Sequence, residues 1–185
     1  LCTGQDGKRS RTCTGLSAVI AGGTGAGREP ECSRSRKDEQ SMITYRRMTP
    51  EDVPFISRLE EATFSMPWSP EAFFQMITKE DTRYYVAEEG GHLLGGCGLW
   101  MIAGEGNITN VAVAKDARRR GVGTGLLTYL MQEGNREGVS AYTLEVRISN
   151  EAAIHMYEKL GFVSEGIRPN FYEKPTEDAM IMWKR

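Results

Sequence analysis

Apolar and polar positions along residues 43–184 change period repeatedly, and each change marks an element. Ile43 to Met48 reads as a first strand. Thr49-Pro50-Glu51-Asp52 then supplies an N-cap, a proline at the first helical position and early acidic residues. Val53, Ile56 and Leu59 follow at helical spacing, and Ser69-Pro70-Glu71 repeats the start signal ahead of Phe73, Phe74 and Ile77. Arg83–Glu88 and His92–Ile102 read as a hairpin around Glu89-Gly90-Gly91, with Asn107–Ala114 as a fourth strand. Leu126, Leu127, Leu130 and Met131 belong to a helix over about Gly121–Asn135. Ala141–Arg147 alternates clearly: Tyr142, Leu144 and Val146 face one side, Thr143, Glu145 and Arg147 the other. Asn150 caps the next helix, on which Ala153, Ile154, Tyr157 and Leu160 share a face, and Gly161 fits its C-terminus. Phe162–Gly166 and Ala179–Trp183 complete the sheet. The pattern predicts one α/β domain with a mixed, mostly antiparallel sheet and flanking helices.

The junction between the fourth strand and its helix carries the chemistry. Arg118-Arg119-Arg120-Gly121-Val122-Gly123-Thr124-Gly125 is a basic, glycine-rich turn opening a helix. Free N–H groups and the helix dipole make such a turn an anion cradle, and arginine adds bidentate donors for phosphate. A pyrophosphate-bearing ligand fits, although an ordinary strand-to-helix turn with a solvated basic run reads the same way. No Gly-Lys-Ser/Thr closes the loop, and Gly-x-Gly lacks the spacing and preceding βαβ unit of a dinucleotide fold.

Composition narrows the setting. The 185 residues suit a single domain, and no apolar stretch approaches the ~18 residues of a membrane helix. Residues 1–41 hold no aromatic residue and are rich in Gly, Ser, Thr and Arg. They read as a disordered extension, or as an artificial or gene-boundary segment, ahead of a domain spanning 42–185. Ala21–Gly27 is glycine-rich but has no strand before it, so it is not read as a second phosphate loop.

Seven of the 23 Lys/Arg and five of the 25 Asp/Glu fall in residues 1–41, which leaves 42–185 with 16 against 20 and a formal charge of −4. That balance argues against nucleic-acid binding and favours a cationic peptide partner. Cys2, Cys13 and Cys32 have no metal-like spacing, and Cys97, within the apolar Leu94–Leu99, reads as a buried inert thiol. No disulfide framework is implied, and a reducing cytoplasm fits. His92 and His155 stand without a ligand cluster.

Arg118-x-x-Gly121-x-Gly123 resembles the Arg/Gln-x-x-Gly-x-Gly/Ala signature of the GNAT acyltransferase superfamily. The stretch from Leu144-Glu145-Val146-Arg147 through Ser149-Asn150, Ala152-Ala153-Ile154 and Tyr157-Glu158 to Leu160-Gly161-Phe162 resembles the second half of that domain. A narrower similarity, to bacterial ribosomal-protein-alanine N-acetyltransferases of the RimI type, adds Phe64-Ser65-x-Pro67-Trp68-Ser69, Ile167–Tyr172 and Glu177–Met182. It covers about Met42 to Arg185.

The resemblance implies acetyl-CoA as cosubstrate and no metal. The pyrophosphate would lie against Arg118, Arg119, Arg120, Gly121, Val122, Gly123, Thr124 and Gly125. Splayed fourth and fifth strands would form a notch for the pantetheine arm, with Asn150 a further contact and an oxyanion cradle on the backbone of Val111, Ala112 and Val113. Glu145 matches the family's general base and Tyr157 its general acid. Phe64, Pro67, Trp68, Phe171 and Tyr172 match the walls of an acceptor cleft. The implied acceptor is the N-terminal alanine of a small-subunit ribosomal protein. One departure is Pro169-Asn170-Phe171-Tyr172, where the family more often has Arg-Asn-Tyr-Tyr; a cation and a hydroxyl are missing.

The chemistry is consistent with those roles. An α-amino group titrates near ~7.7–8.0 and a lysine near ~10.4, so a carboxylate suffices as base for the former. A phenol near ~10 can protonate a departing thiolate if the proton moves as the C–S bond breaks. On residue type alone Glu145 also reads as a surface carboxylate, Tyr157 as a core residue, and the aromatic walls as packing. Acetylation of lysine or small-molecule amines, and noncatalytic acyl-CoA binding, stay open as alternatives.

Overall fold

Arg46 holds the Asp52 carboxylate bidentately, at 2.7 and 2.9 Å, and Asp52 Oδ2 accepts from the Thr49 N–H at 2.8 Å. This contact fixes the turn by which the chain leaves the first strand and enters the first helix. The computed structural model describes residues 42–185. The reading of residues 1–41 as an extension lies outside the described residues.

The elements are β1 (Thr44–Arg47), a 3-10 turn (Pro50–Asp52), α1 (Val53–Thr63), α2 (Pro70–Thr78), β2 (Thr82–Glu89), β3 (His92–Ile102), β4 (Glu105–Val113), a second 3-10 turn (Lys115–Ala117), α3 (Val122–Arg136), β5 (Ala141–Arg147), α4 (Glu151–Lys159), β6 (Val163–Glu173) and β7 (Thr176–Lys184). Ser69 and Asn150 cap α2 and α4 by accepting from the Ala72 and Ala153 amides at 3.3 and 3.2 Å.

The strands form one seven-stranded sheet in the order β1-β2-β3-β4-β5-β7-β6. Every neighbouring pair is antiparallel except β4 and β5. Apolar side chains leave the sheet on both faces. Tyr85 and Ala87 join Leu126, Leu127, Leu130, Leu144 and Tyr157 in one core, while Tyr84 and Val86 join Val53, Ile56, Leu59 and Phe73 in the other. The period-2 split within β2 thus sends alternate residues to α3 and α4 on one side and to α1 and α2 on the other.

The expected splay is present. β4 and β5 pair only at Glu105–Asn107 against Ala141–Thr143. Beyond that point β4 stays bonded to β3 and β5 to β7, so the sheet opens between them.

The last hairpin is longer than its hydrophobic pattern predicts. β6 continues past Gly166 to Glu173, and β7 starts at Thr176 rather than Ala179. Pro169 and the positive φ of Asn170 (53°) interrupt the alternation, yet β7 supplies partners on either side of a bulge between Arg168 and Tyr172. β6 is an edge strand, where a proline costs no ladder bond on its open side.

Candidate active site

The gap between β4 and β5 opens into a cleft of about 1180 Å³. One wall is the end of β4, which is bulged: Gly96 pairs with Ala112 and Gly98 with Thr109, so Cys97 alone faces Asn110 and Val111. Asn110 takes a φ of 42°, a left-handed conformation that asparagine tolerates better than most residues. Bulging removes part of the ladder and turns peptide groups out of the sheet plane. Val111 and Val113 line the cleft; Ala112 is buried against the core.

At the other end of the cleft lies the start of α3. Gly121 is its N-cap, with φ 81° and no side-chain cap. The Gly125 amide bonds back to the Gly121 carbonyl at 2.9 Å, so the first-turn amides of Val122, Gly123 and Thr124 are the orphan donors of this helix. Those three residues, with Arg118, Arg119 and Gly121, line the cleft. Arg118 Nε also donates to the Val113 carbonyl at 3.1 Å and ties the loop to β4.

Two of the expected cradle residues do other work. Arg120 turns to Glu89, with contacts of 2.7 and 2.9 Å, and is absent from the lining. Gly125 is also absent from it; a Cβ there would come within 1.8 Å of the Tyr45 hydroxyl, so glycine is needed for packing.

Glu145 and Tyr157 both line the cleft, from opposite sides of the sheet. On β5 the buried Tyr142, Leu144 and Val146 point to the α3/α4 core, which places Glu145 on the α1/α2 side. Arg168 Nη1 from β6 lies 3.1 Å from Glu145 Oε1. Tyr157, on α4, is buried and stacks edge-on to Phe162 at 5.9 Å. Burial, reinforced by the nearby Tyr172 and Cys97, pushes its phenol well above the usual tyrosine range. Among the described residues its hydroxyl takes no hydrogen-bond partner. Asn150 lines the cleft as well as capping α4.

Phe64, Trp68, Phe171 and Tyr172 form the far wall; Pro67 does not reach it. Tyr172 donates to the Glu145 backbone carbonyl at 3.2 Å and lies under the Arg147 guanidinium, 4.1 Å from its ring centroid. Arg147 is held in turn by Glu177 at 2.9 Å, whose other oxygen accepts from the Ser149 amide at 2.8 Å. Arg168, over the Phe171 ring at 5.1 Å, brings a cation close to where the Pro169 departure removes one.

One residue at this end is not expected from motifs. Glu60 of α1 is fully buried, lines the cleft, and is pushed up to about 7 by that burial. Its Oε1 accepts a short bond from Asn110 Nδ2 and a long one, 3.5 Å, from the Trp68 amide. The readable signal is its place on the stripe of Val53 and Ile56, where a helix of this pattern should carry an apolar residue. Cys97 is buried and its thiol shifted upward, so it offers no nucleophile. Among the described residues no group of three His, Cys, Asp or Glu is placed to hold a metal ion, and no helix is long and apolar enough to cross a membrane.

Known proteins resemble this chain in sequence and in fold. Residues 53–162 match the acetyltransferase (GNAT) family. The ribosomal protein bS18-alanine N-acetyltransferase of Escherichia coli K12 is 35% identical over 147 residues, covering 76% of this chain and 96% of the relative. The crystal structure of the ribosomal-protein-S18-alanine N-acetyltransferase from Escherichia coli superposes with a TM-score of 0.70 at 33% identity, over 77% of this chain and 92% of that one. Ard1 from Thermoplasma volcanium superposes with a TM-score of 0.71 at 26% identity, over 77% and 96%.

Proposed function

We propose, from the premise that this chain belongs to the acetyltransferase (GNAT) family, that it moves an acetyl group from acetyl-CoA to the N-terminal α-amine of a protein. The acceptor proposed is the N-terminal alanine of a small-subunit ribosomal protein; the Escherichia coli relative is named a ribosomal protein bS18-alanine N-acetyltransferase. The observation that carries this reading is the placement of Glu145 and Tyr157 on opposite faces of the β4/β5 gap. An amine arriving from the α1/α2 side meets a thioester lying in the gap, and the thiol leaves toward α4.

The chain's residues suit each task. The orphan amides of Val122, Gly123 and Thr124, with Arg118 and Arg119, suit a pyrophosphate. Peptide N–H groups of the β4 bulge would meet the charge building on the thioester oxygen. Glu145 would take the amine proton, directly or through water, and an α-amine near ~7.7–8.0 asks little of a carboxylate. Tyr157 would return a proton to the sulfur; its raised pKa keeps it protonated across the working range. Phe64, Trp68, Phe171 and Tyr172 would flank the first acceptor side chain. A free thiol at Cys97 and an acetyl-CoA requirement fit a cytoplasmic setting.

The test is intact-mass detection of transfer to short peptides that begin with Ala, Ser or Gly, beside a blocked-Ala peptide carrying an internal Lys. Modification of the free Ala peptide and silence on the blocked one is the expected result. Transfer to the lysine alone would overturn the α-amine reading.

A further inference from the structure

A carboxyl group in the apolar stripe of a helix is costly unless something uses it. Glu60 is the one acidic residue of α1 that points into the core, with 0% exposure, and its two Oε1 partners belong to different parts of the cleft. Asn110 is the positive-φ residue of the β4 bulge, next to the Val111 backbone expected to face the thioester. Trp68 belongs to the segment between α1 and α2 that carries the Phe64 and Trp68 walls. The second carboxyl oxygen is buried without a hydrogen-bond partner among the described residues, so Glu60 is not there to complete a local network.

We infer that Glu60 is a positioning residue for acetyl transfer: through one oxygen it fastens the left-handed bulge at Asn110 to the acceptor-side segment at Trp68. The bulge needs such an anchor. A non-glycine residue at φ 42° sits in a sparsely populated conformation that the surroundings must hold. Glu60 grips the side chain of that residue and thereby fixes the direction of the neighbouring peptide. Glu60 is assigned no contact with the acceptor: it is fully buried, and its Oε1 is taken up by Asn110. The inference rests on the proposed acetyl transfer, but not on whether the amine is α or ε.

The experiment compares Glu60→Gln, Glu60→Leu, Asn110→Gly and the Glu60→Leu/Asn110→Gly double variant in steady-state transfer, using whichever amine the wild-type enzyme modifies. Glutamine keeps the accepting oxygen and should keep kcat within about threefold. Leucine removes it and should lower kcat by about 10- to 100-fold, the scale of a small misplacement at a reacting centre, and raise the acceptor KM. Acetyl-CoA affinity, set at the remote α3 loop, should stay within about twofold of wild type in both. Glycine at 110 adopts the bulge conformation unaided, so in that background Glu60→Leu should cost less than about threefold more. Amide exchange of the acetyl-CoA-bound protein reads the same contact without an acceptor: protection at Val111 should fall in Glu60→Leu and persist in Glu60→Gln. A Glu60→Leu enzyme with wild-type kcat overturns the inference. So does a Glu60→Gln enzyme as slow as Glu60→Leu, which would assign the effect to charge, and so do fully additive losses in the double variant. Transfer to lysine instead of an α-amine would overturn the proposed acceptor class and leave these comparisons intact.

Discussion

Arg168 on the edge strand reaches Glu145 on β5 with a 3.1 Å contact between Nη1 and Oε1, passing over β7 to do so. The guanidinium is half exposed, so the pair is a partly solvated tether. Partly solvated pairs contribute little, about 0–1 kcal/mol. Arg168→Ala should therefore reduce kcat by less than about fivefold. Glu145→Gln removes the base itself and should reduce it by about 10²–10⁴-fold with acetyl-CoA affinity nearly unchanged. Steady-state kinetics beside calorimetric titration of acetyl-CoA separate the two. Equal losses in both variants would make the Arg168–Glu145 pair, rather than the Glu145 carboxylate alone, the unit that matters.

Tyr157 permits a cleaner substitution than most buried residues. Its ring packs on Phe162, while its hydroxyl has no hydrogen-bond partner among the described residues. Tyr157→Phe should retain the ring contacts and unfold within a few degrees of wild type, yet release thiol about 10²–10⁴-fold more slowly. Thermal unfolding and a thiol-release assay check this together. Normal turnover in a folded variant would return Tyr157 to the core and remove its acid role.

Glu60 makes stability depend on pH in an unusual direction for a carboxyl. Burial raises it to about 7 from an ordinary value of 4.5, so the folded protein holds the proton more tightly than the unfolded chain. The stabilisation is complete below about pH 4.5 and is lost as pH rises through 7, an effect on the order of 3 kcal/mol. Between pH 5 and pH 8 the wild type should lose several degrees of Tm relative to Glu60→Gln. Parallel pH profiles for the two proteins would show that Glu60 ionises freely in the fold.

Two glycines of the α3 turn should respond differently to alanine. Gly125→Ala drives a Cβ into the Tyr45 ring, which is held by its stack on Tyr129 at 6.0 Å. Overpacking of that kind costs about 1–3 kcal/mol and should appear as a lowered Tm. At Gly121 a Cβ meets nothing within 4 Å, but the φ of 81° strains any other residue. Gly121→Ala should cost about 1 kcal/mol of strain in the loop itself and weaken acetyl-CoA binding more than Gly125→Ala does. Differential scanning fluorimetry with and without acetyl-CoA reports both; the reverse ranking would place the anion site on Gly125.

Helix starts at Thr49, Ser69 and Asn150 and the alternation of β5 were legible because each rests on local chemistry: caps, a proline at the first turn, a period of two. The loop from Arg118 to Gly123 was legible for the same reason. The course of β6 was not, since Pro169 and Asn170 break the pattern and the strand exists only through its pairing with β7. Arg120 and Glu89 illustrate the second limit. Three adjacent arginines look alike in sequence, and only the position of the β2–β3 hairpin diverts one of them. Glu60 and Asn110 lie 50 residues apart, and their bond follows from packing α1 onto β4.

The irregular stretch of β6 also bears on how the molecule coexists with its neighbours in a crowded solution. Val163 and Ile167, at 65% and 49% exposure, put apolar side chains on an outer strand whose free backbone could recruit another chain. A straight strand there would be an adhesive border eleven residues long. Pro169 withholds a donor and Asn170 twists the backbone midway, so no long flat run remains for a stranger to copy. Pro169, one of the residues that set this chain apart beside its cleft, thus works with Asn170 to keep the border irregular, and replacing both with a regular strand sequence should make the edge more prone to pair with another chain.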